Sequence, residues 1–188
     1  MLLDFTDLGF EHFYDVEVNP EYPSTGGWPF PSLDFGAKGR DRVTVKVSPD
    51  RGGPWVASFA LENRGVIAGI YSCPHPTHVL VATGWDAYLL DANDASLTEV
   101  LPIHPVTVIA RPTGSDLVLI GSYTDAALLD ASGLRWVTDR LFLDDFELLD
   151  SPPGTIRVQG RVGYAPVETI VALDPATGHM LSDNQGER

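Results

Sequence analysis

Cysteine occurs once in the 188 residues, at Cys73, so no intrachain disulfide can form. The fold must rest on its own core, and a lone thiol suits a reducing compartment. Positive charge is also scarce. Against 26 Asp and Glu stand 12 Lys and Arg, for a formal net charge of −14. Phosphate backbones are bound through clustered Lys and Arg, so nucleic acid is not an expected ligand, and neither is an anionic membrane surface. No apolar run approaches the roughly 18 residues that a spanning helix needs. The opening Met1-Leu2-Leu3-Asp4-Phe5 has no basic stretch and carries an acid early. No secretory signal is therefore expected, and the expected location is the cytoplasm. Helical periodicity is missing too. Asp139 to Asp150 comes nearest, but Leu141, Asp145 and Leu148 do not share one apolar face.

What the chain does have is a recurring β-rich unit. Hydrophobic residues make up 44%, with 18 Gly and 15 Pro as punctuation, which indicates a globular chain. Val66 to Val100 reads as four short strands with three tight connections. Two further copies follow, from about Val106 to Thr138 and from about Phe146 to Leu181. Pro74, Pro112 and Pro152 each end a first strand. Apolar runs follow at Val79-Leu80-Val81, Leu117-Val118-Leu119-Ile120 and Ile156-Arg157-Val158. A third run then stops at Asp91, Asp130 or Asp174. Runs without strict alternation indicate strands covered on both faces. A spacing near 40 residues with four strand-sized segments matches one propeller blade.

The third copy, Ala172-Leu173-Asp174-Pro175-Ala176-Thr177-Gly178, resembles the turn of the PQQ-type propeller repeat, and the other two match it loosely. The tryptophan that closes that repeat is replaced here, with Ser182 near its place. The resemblance, shared in outline with WD40-like blades, implies blade geometry and no quinone cofactor. The expected fold is all-β: a small propeller-like repeat of four-stranded antiparallel blades. Either four blades are present, or three plus an N-terminal cap. We read residues 1–188 as a single domain. Residues 1–64 form a divergent blade or cap, 65–102, 103–141 and 142–182 are repeat units, and 183–188 is a frayed tail. Within the first segment, Glu11 to Asn19 holds one strand, and the rest through Gly39 is an irregular, aromatic-rich loop. Strands follow at Arg42 to Val47 and Trp55 to Leu61, and Glu62-Asn63-Arg64-Gly65 ends the second.

Function is less legible. Trp85, Tyr123 and Tyr164 fall at the second hairpin turns of the three copies. In a blade, those turns and the inter-blade loops, including Pro102-Ile103-His104, share one face. Trp85, Asp86, Tyr123, Tyr164 and His104 are therefore the candidate binding residues, since Trp and Tyr dominate binding hot spots. The simpler reading is that the rings pack across their own hairpins and hold register. Cys73, His75 and His78 offer three metal donors in six residues, but a structural zinc site wants four. No second cysteine pair exists, so no metal and no cofactor is expected. No nucleophile elbow or phosphate loop is present, and no catalytic residue is assigned.

The preferred reading is a non-catalytic protein-binding or scaffold module whose acidic surface suits a basic partner. One alternative is a small hydrolase or lyase in a central funnel, using His104 with a carboxylate such as Asp86 or Asp145. Another is a half-propeller completed by homo-oligomerisation, which would cover an open blade edge.

Overall fold

The computed structural model describes residues 3–36, 41–61, 67–150, 152–164 and 167–181. The expected turn at Glu62 to Gly65 and the tail 183–188 lie outside the described residues. The chain is all-β, built of small, mainly antiparallel sheets that recur along the sequence. No helix among the described residues is long and apolar enough to cross a membrane. Two compact units divide it, Met1–Val106 and Thr107–Arg188.

Among the described residues, the first unit holds nine strands: β1 (Phe5–Thr6), β2 (Tyr14–Val18), β3 (Ser32–Phe35), β4 (Arg42–Pro49), β5 (Trp55–Ala60), β6 (Ala68–Ser72), β7 (His78–Thr83), β8 (Ala87–Asp91) and β9 (Leu97–Leu101). They form two sheets, ordered β2-β4-β5-β3 and β1-β6-β7-β8-β9. Strand β4 alternates as its sequence dictates. Val43, Val45 and Val47 are buried, while Arg42, Thr44 and Lys46 face outward. Two strands were not expected. Strand β3 falls in the segment read as irregular loop and pairs parallel with β5, Phe35 opposite Phe59. Strand β1 pairs parallel with β6. Both are short and find their partners far along the chain, so no local periodicity announces them.

The two sheets of this unit share a core. Val43, Val45, Ala57 and Phe59 pack with Ile70, Val79, Val81, Tyr88 and Leu90. Phe35 stacks on Phe59 at 4.9 Å, and Tyr88 meets both rings at 5.4 Å. Trp55 is buried and donates its indole N–H to Ala92 O at 2.7 Å, so its polar atom is satisfied. Each such side chain contributes about 1.5–3 kcal/mol by burial. Exposed ion pairs such as Lys46–Glu17 on the outer face contribute about 1 kcal/mol or less. The core therefore holds the sheets together, and the ion pairs make the outer face soluble.

The second unit holds β10 (Val108–Ala110), β11 (Val118–Gly121), β12 (Ala126–Asp130), β13 (Gly133–Val137), β14 (Asp144–Leu148), β15 (Ile156–Arg161) and β16 (Glu168–Leu173). Strands β10 to β13 form one four-stranded meander, and β14 to β16 a three-stranded one. Leu119, Leu128, Phe142, Ile156, Val158 and Leu173 make their common core. The third repeat was expected to carry four strands. Among the described residues its fourth position holds a single bridge, Leu173 to Met180.

The repeat is visible in matching local geometry. Strands β7, β8, β11 and β12 are buried along both faces, as continuous apolar runs require. Register shifts occur between Leu89 and Leu90 and again between Leu128 and Leu129. Asp91, Asp130 and Asp174 all sit at the end of a third meander strand. Each accepts the N–H two residues on, from Asn93 (2.8 Å), Ser132 (2.7 Å) and Ala176 (2.8 Å). These are Asx turns, the local chemistry that makes Asp a strand terminator.

Candidate functional site

The β7–β8 hairpin is closed by its own end residues. Thr83 N–H donates to Asp86 O at 2.9 Å, and Asp86 N–H donates to Thr83 Oγ1 at 3.2 Å. Gly84 takes φ 91°, which an L side chain rarely adopts. The tight turn puts Trp85 at its tip. After β9, Ile103 is fully buried and anchors the next loop, which presents His104 beside the hairpin.

The structure thus brings Trp85, Asp86 and His104 together. The His104 ring lies nearly parallel to Trp85, at 6.1 Å and 16°. His104 Nδ1 is 3.2 Å from Asp86 Oδ1 and 3.4 Å from Trp85 O. Tyr88 OH donates to Asp86 Oδ2 at 3.1 Å. Both carboxylate oxygens are therefore engaged, and the carboxylate is held between a buried tyrosine and an exposed histidine. A proton on Nδ1 donated to Asp86 leaves Nε2 as a free acceptor. Tyr88 was not singled out from the sequence. Its signal is the Asp86-x-Tyr88 spacing, because alternate residues of a strand share a face.

The β11–β12 hairpin uses the same device. Ser122 N–H donates to Asp125 O at 2.9 Å, and Asp125 N–H donates to Ser122 Oγ at 3.1 Å. Matching the two turns by these bonds puts Trp85 opposite Thr124 and Tyr123 opposite Gly84. Tyr123 and Trp85 therefore occupy neighbouring positions of equivalent hairpins rather than the same position. Tyr123 is 37% exposed, and Tyr164, between β15 and β16, is fully exposed. The Asp145 carboxylate pairs with Arg161, as does that of Asp144.

Cys73, His75 and His78 are near in sequence but do not converge. Cys73 is buried, and burial pushes its thiol far above the ordinary range. The His75 and His78 rings stack on each other at 4.3 Å. His75 Nδ1 lies 3.1 Å from Thr77 Oγ1, which donates to Asp91 Oδ2 at 3.3 Å. Among the described residues no three His, Cys, Asp or Glu side chains are placed to hold a metal.

No protein-family model matches the chain, and no curated protein matches it. Among solved structures it is similar to the crystal structure of the N-terminal domain of Nup159, with 14% identity and a TM-score of 0.41. The match covers 96% of this chain and 53% of that one, so the chain spans about half the length of that domain.

Proposed function

We propose that this chain is a non-catalytic protein-binding module that engages its partner through the corner formed by Trp85, Asp86 and His104. The observation that carries the reading is the His104 ring stacked on Trp85 and held by Asp86. An aromatic pair fixed in advance loses little freedom when a partner covers it. Tyr123 and Tyr164 are likewise exposed at hairpins of the second unit, where aromatic side chains of this kind suit a partner of that unit. The charge of −14 favours a basic partner, steered by long-range attraction.

The test is capture of a partner from native lysate by the wild-type chain and by Trp85→Ala, with folding checked by circular dichroism. Loss of capture with an intact fold is expected, and undiminished capture overturns the proposal.

One observation favours a second reading. His104 within reach of Asp86 is half of a general-base arrangement, as a small hydrolase or lyase would need. The two side chains are 38% and 32% exposed, which leaves them open to water. Acid–base catalysis benefits from exclusion of water, and this corner does not provide it. Turnover of an ester or glycoside panel that disappears in His104→Asn would favour catalysis over binding.

A further inference from the structure

Residues 19–31 join β2 to β3 and cross the outer face of the first sheet. Both ends are pinned. Asn19 N–H donates to Thr44 O at 2.7 Å, and Asn19 Oδ1 accepts Thr44 N–H at 3.1 Å. At the other end, Val56 N–H donates to Pro31 O at 3.0 Å. Pro20, Pro23, Pro29 and Pro31 fix φ along the way. In the middle, Gly26 N–H donates to Pro23 O at 3.0 Å, and Tyr22 OH donates to Gly26 O at 3.1 Å.

This frame carries three aromatic rings that the core does not use. Tyr22 and Trp28 meet at 5.5 Å and 77°, forming a corner. Phe30 backs Trp28 at 5.6 Å and 27°. Tyr22 is 61% exposed. Between this corner and the outer face of the sheet lies a concavity of about 300 Å³. Tyr22 and Trp28 line one side, and Ser32, Thr44 and Ser58 line the other.

The concavity also carries unengaged polar groups. Among the described residues, no hydrogen bond engages Trp28 Nε1–H, the Ser32 hydroxyl or the Thr44 hydroxyl. The backbone of Asn19 and Thr44 is already paired. The site therefore offers an indole donor, two hydroxyls that can donate or accept, and aromatic faces; no charged residue lines it, and the lining Ser58 Oγ accepts Arg42 Nε–H at 2.9 Å. An extended proline-rich strand matches this. Its carbonyls point outward as acceptors, it has few N–H groups, and its rings fit an aromatic corner. Stiffness on both sides keeps the ordering cost low. A hexose would need an open indole face, and here Phe30 covers one face while Tyr22 stands T-shaped to the ring. Glu21, next to Tyr22 in the chain, carries no ion pair among the described residues, in a chain of net charge −14. That charge complements Arg or Lys flanking the prolines. We propose that this concavity binds a proline-rich peptide segment with basic flanks in the polyproline II conformation.

A fluorescein-labelled oligoproline flanked by arginines, titrated against the full chain and followed by anisotropy, tests this. Saturation in the micromolar range is expected. Trp28→Ala and Tyr22→Ala should each weaken binding at least about tenfold. Thr44→Val, which keeps the strand and removes one donor, should weaken it severalfold. Trp85→Ala should leave it unchanged, which separates this site from the hairpin corner. The proposal is overturned if an arginine-flanked oligoalanine binds equally well, or if neither Thr44→Val nor Trp28→Ala changes the affinity. It is also overturned if the oligoproline does not saturate at millimolar concentration, or if a maltooligosaccharide binds instead in a Trp28-dependent way.

Discussion

His75 and His78 stack at 4.3 Å beside Asp91 in a half-buried turn. Burial lowers the pKa of His78 below its ordinary value of 6.5, His75 adds to the lowering, and Asp91 opposes it. The folded state therefore resists protonation that the unfolded chain accepts. Stability from this group is intact above pH 6.5 and falls as pH drops toward the lower folded value. Urea unfolding at pH 7.5 and pH 5 should show this loss in the wild type and a smaller one in His78→Gln. An equal loss in both would show that other groups set the slope. At this scale the sequence was informative where chemistry is local. Asp91, Asp130 and Asp174 end strands because a carboxylate accepts the N–H two residues on. The pairing of His104 with Asp86 crosses two loops and required the copied hairpin to be laid out first.

Strands were legible in proportion to how local their pairing is. The antiparallel meander from β6 to β9 follows from alternating apolar runs and turn residues. Strands β1 and β3 pair in parallel across long loops, and nothing in Phe5–Thr6 or Ser32–Phe35 names the partner. One buried side chain helps to hold the segment after β1. Ser72 Oγ accepts Leu8 N–H at 2.8 Å and donates to Asp7 Oδ1 at 2.9 Å, and Ser72 is fully buried. Ser72→Ala leaves both groups without that partner and should cost about 1–2 kcal/mol. Differential scanning calorimetry should show a midpoint lowered by roughly 3–6 °C. An unchanged midpoint would mean that β1 contributes little to stability.

For the molecule as a whole, the outer faces of the first and last sheets bear on its self-association. On the first, Lys46 pairs with Glu17 and Arg42 with Asp34. On the last, Arg161 pairs with Asp144, and Gln159 donates to Glu147 and Glu168. Self-repulsion at a charge of −14 weighs against association with a second copy. Sedimentation at micromolar concentration should give a monomer at both low and high salt, and a stable dimer would revive the half-propeller alternative.

The parallel pairing of Phe5–Thr6 with Ile70 and Tyr71 also has a kinetic side. During synthesis these residues leave the ribosome well before their docking strand, which follows more than sixty positions later. Until β6 emerges, β1 has no edge to join and stays open to chaperones and proteases. Strand β1 is thus secured only after β6 has been made, so its docking is a late step of folding whatever the rest of the sheet has done.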